Sequence, residues 1–345
     1  MSHGRMEMAS EYRVAAARIV ATGLNQARGE IRSQVVSGLV NPLAFRGVSD
    51  QGGFEPTKID AMMDRVIESL VSSRMPGVIY CSEESPRNLY PEPGDIVAWS
   101  DPLDGTTNAF TFFGGYAVVL YFDRFIHGRY DHLAGAIASS DGTIVSWQRF
   151  HDDGEVWIDW PDEMRWPGLK AGSENGVART PATPPYRVGV GRIGDDDPLA
   201  TAGRVIPLFG GVRKRLASVA STVSRREDLD RILDLGREDG PPDRQTDMVL
   251  STLAGNPLVS ALLVGQLGAI VEPHAVKLHD AAYLIPLVLA GGVVVDLNDN
   301  EINVFRAFEQ VEPARRRVGP FIAAASEESV RWLMSRRRAV PESRG

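Results

Sequence analysis

The chain has 345 residues, a net charge of −8 and a single cysteine, Cys81. That length suits one large domain or two lobes around a sizeable core, and the acidic balance argues against binding nucleic acid by phosphate neutralisation. A lone cysteine excludes an intrachain disulfide and fits a reducing compartment.

Residues 1–10 are polar, without the apolar centre of a secretory signal. The longest apolar stretch, 281–295, is interrupted by Pro286, Gly291 and Gly292 and is too short to span a bilayer. A cytoplasmic protein without a membrane partner is expected.

Apolar residues at helical spacing over 8–40 (Val14, Ala17, Ile19, Leu24, Ile31, Val35) predict one long or two consecutive helices. A glycine-rich loop at 47–56 precedes a helix at 57–72, carried by Ile59, Met62, Met63, Val66, Ile67 and Leu70. A short strand at 78–81, a proline-rich loop at 86–93 and a strand ending at Trp99 follow. Segments 117–122, 134–138, 143–148 and 156–159 predict an antiparallel meander.

The Pro-, Gly-, Ser- and Thr-rich stretch 168–185 marks a boundary between an N-terminal α+β lobe (8–180) and a C-terminal α/β lobe (186–336). The second lobe is expected to hold a strand at 186–190, a helix at 198–207 and a charged insertion at 225–247. After them come a helix at 256–269, a strand at 269–272, a helix at 280–289, strands at 293–295 and 321–324, and a last helix from Ser326.

The most specific motif is Asp101-Pro102-Leu103-Asp104-Gly105-Thr106-Thr107, at the end of a hydrophobic strand. Two carboxylates three residues apart offer hard oxygen ligands to a cation of the Mg²⁺ type. A glycine turn opening a helix offers backbone N–H groups to phosphate. Two further acidic groups, Glu83-Glu84 after the first strand and Asp280 at a helix start, could meet the aspartates at one sheet edge. Without cations, such convergence would raise the carboxyl pKa values.

Each outlying group also has a plainer reading. Ser82-Glu83-Glu84-Ser85 recurs as Ser326-Glu327-Glu328-Ser329, where early acids complement a helix dipole, and Asp280 alone would serve as an N-cap. Gly189-Val190-Gly191-Arg192-Ile193-Gly194 spells a dinucleotide fingerprint, but Asp195–Asp197 follow where a positive helix start is needed. Arg213, Lys214 and Arg215 read as a phosphate contact or a solvated basic turn. The histidines show no zinc spacing.

Taken in order, Ser82-Glu83-Glu84-Ser85, the Trp99–Asn108 stretch and His279-Asp280-Ala281-Ala282 before Gly291-Gly292 resemble the inositol monophosphatase superfamily, as does the early Thr57-Lys58-Ile59-Asp60. The wording is nearest to the archaeal branch that acts on inositol phosphates and fructose bisphosphate.

The resemblance implies an α/β (α+β) fold, the layered αβαβα sandwich of sugar phosphatases. It implies a Mg²⁺-dependent hydrolysis of a small sugar or polyol phosphate, with two or three Mg²⁺ per site, Mn²⁺ as a substitute, Li⁺ as an inhibitor, and a homodimer. Fructose 1,6-bisphosphate, histidinol phosphate or a 3′-phosphonucleotide are alternative substrates, and a non-catalytic homologue is a further alternative.

By the same resemblance Glu83, Asp101, Asp104, Asp280 and the Leu103 carbonyl bind metal; two cations roughly 3.5–4 Å apart need a bridging carboxylate, for which Asp101 is the candidate. Thr106, with Asp60 or Glu83, orients the attacking water, and Gly105 and Thr106 hold phosphate. Glu272 is the candidate contact to a substrate hydroxyl. The chain departs from the family at His279, where tryptophan is usual, and at Ala290, where glutamate is usual. It also has no clear counterpart of the lysine found before the early aspartate in some members.

Overall fold

The computed structural model describes residues 2–36, 58–85, 89–106, 109, 115–150, 153–159, 177–180, 217–220, 248–251, 255–263, 267, 269–272, 274–309, 317–324 and 327–335. The first periodic stretch forms one helix, α1 (Ser2–Val36), and the second forms α2 (Lys58–Arg74). The buried stripe of α1 is Ala9, Ala16, Ile19, Val20, Leu24, Ala27 and Ile31. Its alanines let the helix lie close to its neighbours, while Val14 and Ala17 are only half-buried.

Seven strands form one sheet in sequence order: β1 (Ile79–Ser82), β2 (Ile96–Asp104), β3 (Ala117–Ile126), β4 (Arg129–Ser139), β5 (Ile144–Phe150), β6 (Asp153–Asp159) and β7 (Val177–Thr180). β1 and β2 run parallel and all later neighbours antiparallel, so the expected meander is present. β7 pairs with β6 inside the stretch read as a lobe boundary; residues 168–176 and 181–185 lie outside the described residues.

A second sheet has the order β12 (Val293–Asp296), β14 (Phe321–Ala324), β10 (Ala269–Glu272), β8 (Ala217–Ala220), β9 (Met248–Ser251). A two-stranded ribbon pairs β11 (Val276–Lys277) with β13 (Arg317–Val318). The predicted loop at 47–56, strand at 186–190, helix at 198–207 and insertion at 225–247 lie outside the described residues. So do the 189–194 motif and residues 213–215.

Strand alternation explains the layering, because successive side chains point to opposite faces. Ala98, Val118, Leu120, Phe122, Ala136 and Ala138 pack under α1 and α2. Their neighbours Val97, Trp99, Val119, Tyr121, Ile137 and Trp147 face a middle helical layer that includes Leu262, Leu284, Leu287 and Phe308. Ile270, Val294, Phe321 and Ala323 close that layer from the second sheet. The far side of the second sheet (Val271, Val295, Ile322, Ala324) is covered by Val330 and Leu333 of the last helix, Glu327–Ser335. The result is the αβαβα sandwich. Among the described residues no helix is long and apolar enough to cross a membrane.

Candidate metal centre

β2 does not stop at Trp99 but continues through Pro102 to Asp104, and its register against β3 slips on the way. Asp101 lies opposite Val119 and Asp104 opposite Ala117, so three steps on β2 match two on β3. In a regular strand, residues three apart point to opposite faces. The extra residue of the bulge turns both carboxylates to the same face. Pro102, which has no N–H to give to a ladder, sits where pairing is interrupted.

Within this bulge the Leu103 N–H donates to Asp101 Oδ1 at 3.2 Å. Asp101 Oδ2 and Asp104 Oδ2 are both buried and make no hydrogen bond. Donor atoms of Asp101, Asp104 and Asp280 all lie within 4.8 Å of one another, and those of Glu83, His279 and Asp280 do the same. Three segments of the chain therefore meet at one point and bring Glu83, Asp101, Asp104 and Asp280 together. The residue common to both groups is Asp280, where sequence reasoning had put Asp101.

The electrostatics show the strain of this meeting. Burial, then the charges of Glu83, Asp104 and Asp280, pushes the Asp101 carboxyl well above its ordinary range. Burial and Asp280 do the same to Asp104, opposed in part by a hydrogen bond from the Asn256 side chain. Asp280 is raised as well, chiefly by burial. Glu84 is pushed up to about 8 by burial and by Asp60, Glu83 and Asp64. A buried set of carboxylates with orphaned oxygens is chemically matched to divalent cations, whose charge removes the repulsion and whose coordination satisfies the lone pairs.

Glu83 behaves differently because it has cationic neighbours. Its Oε1 accepts from Lys277 Nζ at 2.5 Å, and its Oε2 lies 2.9 Å from His279 Nε2. Burial resists ionisation, but these neighbours outweigh it and hold the Glu83 carboxyl at about 2. Sequence reasoning missed both partners. Lys277 ends β11 and His279 lies in the turns that follow, either side of the buried Leu278, and their closeness in the chain to Asp280 was the available signal.

Asp280 is not at a helix start, as had been expected; regular helix begins only at Leu284. Residues 278–283 form successive turns, and the reason lies in Asn256, whose side chain is completely buried. Its Nδ2 donates to the His279 carbonyl at 2.8 Å, and its Oδ1 accepts the Tyr283 N–H at 2.9 Å. In a helix those two backbone groups would bond each other. The amide is spliced between them and holds the chain open where Asp280 projects. Asn256 itself opens a 3₁₀ turn (Asn256–Leu258) that leads into a helix of only five residues, Val259–Leu263, rather than the long helix predicted. Gly255 beside it has no room for a Cβ, which would strike the Tyr283 ring.

Thr106 Oγ1 donates to Asp60 Oδ1 at 2.6 Å and also approaches the Leu103 carbonyl at 3.0 Å, so Thr106, Asp60 and Leu103 are in contact. Gly105 has a φ of +83°, and an added Cβ would lie 2.6 Å from the Gly115 carbonyl oxygen, so only glycine fits the turn. Thr107 and Asn108 lie outside the described residues. Glu272 is not a surface residue: it ends β10 fully buried, near enough to Tyr283 to raise that phenol further above its range, an effect led by burial.

No family model matches the chain, and no curated protein matches it. Solved structures match it in fold. Extragenic suppressor protein suhB from Bartonella henselae superposes with a TM-score of 0.53 at 14% identity, covering 95% of this chain and 96% of that one. Mycobacterium tuberculosis SuhB gives 0.51 at 16%, covering 94% and 95%. A Thermotoga maritima IMPase gives 0.50 at 16%, covering 92% and 95%. The fold expected from the resemblance, that of the inositol monophosphatase superfamily, is the one this chain adopts.

Proposed function

We propose that the chain is a divalent-metal-dependent phosphomonoesterase acting on a small sugar or polyol phosphate, with Mg²⁺ as a working cation, and that it assembles as a homodimer. One observation carries this reading: Asp101 Oδ2 and Asp104 Oδ2 are buried, unpartnered and grouped with Asp280, a set of oxygens that fits a cation. Glu83, Asp101, Asp104 and Asp280 would hold the metal, with the Leu103 carbonyl alongside. The IMPase among the fold neighbours is in keeping with it.

When bound, divalent ions in such a site lower the pKa of a water molecule and stabilise the leaving oxygen. The chain's own groups supply the orientation. Thr106 gives its hydroxyl proton to Asp60 at 2.6 Å, which leaves its oxygen free to accept a hydrogen bond from the attacking water. That water attacks phosphorus while the bond to the alcohol oxygen breaks, and the backbone of Gly105 and Thr106 faces the phosphoryl oxygens.

Phosphate release in Mg²⁺ from a panel of inositol phosphate, fructose 1,6-bisphosphate, histidinol phosphate and a 3′-phosphonucleotide tests the reading and ranks the substrates. Asp104→Asn should lower the best rate by more than about 10³-fold with an unchanged far-UV spectrum. No release from any ester, or normal turnover by Asp104→Asn, would overturn it.

A further inference from the structure

We propose that one of the two cation positions here is a mixed nitrogen–oxygen site, with His279 Nε2 as a metal ligand beside Glu83 and Asp280. The occupant of that position is a first-row transition-metal ion such as Mn²⁺, Co²⁺ or Zn²⁺ in preference to Mg²⁺. The proposal deepens the metal-dependent reading above and rests on it.

The geometry of His279 separates it from an ordinary ion-pair partner. Its Nε2 is buried 2.9 Å from Glu83 Oε2 and 3.6 Å from Asp280 Oδ1. Burial opposes its charge, but Glu83 is close enough to raise the imidazole above its ordinary range, while the angles at the ring nitrogen fit a well-formed hydrogen bond to neither oxygen. At those separations the lack of a bond means that both oxygens lie off the ring's N–H axis. The ring nitrogen and the two carboxylates instead surround a common point, with all three donor atoms within 4.8 Å of one another. Ligands around one cation adopt this convergence, whereas a salt-bridged histidine aims its N–H at its acceptor.

The ring is also held in place. Its side chain is 5% exposed, Leu278 and Ala281 on either side are buried, and its carbonyl is fixed by Asn256 at 2.8 Å. Lys277, the other group on Glu83, is 38% exposed and has room to swing away.

Donor chemistry then sets the choice of metal. Mg²⁺ takes oxygen ligands and keeps its waters, whereas imidazole suits the later first-row ions. The neighbouring group, Asp101, Asp104 and Asp280, is all oxygen. The two positions share Asp280 and differ in hardness, so a single centre is built for two kinds of cation.

Metal-stripped wild type and His279→Gln are titrated with Co²⁺ and, separately, with Mg²⁺, followed by Co²⁺ absorption and by metal content after dialysis. Wild type should bind one Co²⁺ at least about tenfold more tightly than His279→Gln, with a ligand-field spectrum that the variant lacks, and Mg²⁺ affinity should change much less. Because His279 is buried, ¹¹³Cd spectra of the unsubstituted protein give a second measurement. One resonance displaced by a nitrogen ligand supports the site; two all-oxygen resonances overturn it. Equal Co²⁺ binding by both proteins, with Mg²⁺-dependent phosphate release by wild type intact, overturns the mixed site and leaves the phosphatase standing. Absence of any divalent binding removes both.

Discussion

His132 and His279 are both buried beside a carboxylate, and they are satisfied in opposite ways. His132 Nδ1 lies 2.8 Å from Asp123 Oδ1, and its Nε2 lies 2.8 Å from the indole Nε1 of Trp147. An indole N–H can only donate, so Nε2 accepts and Nδ1 carries the proton to Asp123. Both ring nitrogens are engaged within the protein, deep among Tyr121 and Trp147. His279 Nε2 has no such engagement, and two carboxylate oxygens nearby are orphaned with it. In the first cluster both ring nitrogens are met and Asp123 Oδ2 alone is left over; in the second the ring nitrogen and the oxygens of two aspartates are left over together, in a group that a cation would complete.

Removing His132 tests that contrast most severely. His132→Ala strands the Trp147 N–H and the Asp123 carboxylate in the core, and should cost about 3–5 kcal/mol. Denaturant unfolding with divalent metal present measures it. The loss should be the same with and without cation, because His132 is no part of the metal site. A loss that vanished on adding metal would erase the distinction between the two clusters.

How much of this was legible in the sequence follows from the range of the interactions involved. The meander was readable from local periodicity, whereas the five-layer sandwich came only from the family resemblance and the central helices are shorter than periodicity predicts. Asp101 and Asp104 were readable because their chemistry sits in one contiguous turn. The bulge that aims them together was not, since Pro102 permits it but only pairing with β3 shows it. β8 and β9, four residues each, carry too little alternation to be seen. The partners of Glu83 come from nearly two hundred residues away. The displacement of Asp280 from a helix start depends on one amide, Asn256, arriving from another segment.

That amide offers the next test. Asn256→Ala leaves the His279 carbonyl and the Tyr283 N–H without their partner and should cost about 1–3 kcal/mol. Freed to bond each other, those groups would draw residues 279–283 toward regular helix and carry Asp280 out of line. Divalent affinity should then fall by roughly 10- to 100-fold, the usual cost of losing support behind a ligand. Calorimetric titration alongside unfolding reads both quantities. A stability loss with no change in metal affinity would reduce Asn256 to a packing residue.

The smallest expected effect is one of pH. Glu84 has its carboxyl raised from 4.5 to about 8, by burial and then by Asp60, Glu83 and Asp64. The folded chain therefore holds this proton more tightly than the unfolded chain does. As pH rises through about 4.5 the unfolded chain releases its proton first, so stability falls from there and levels off above about 8. Glu83 acts in the opposite sense but lower, between about 2 and 4.5, and does not cancel the fall. Solvent reaches part of Glu84, so only a fraction of the shift returns as stability, about 2 °C in Tm. Thermal melts in EDTA from pH 5 to pH 8 should show a shallower decline for Glu84→Gln than for wild type. A divalent cation should flatten both curves, because its charge cancels the repulsion among the carboxylates. Parallel curves for variant and wild type in EDTA would mean that Glu84 lies outside the group of acids the cation gathers.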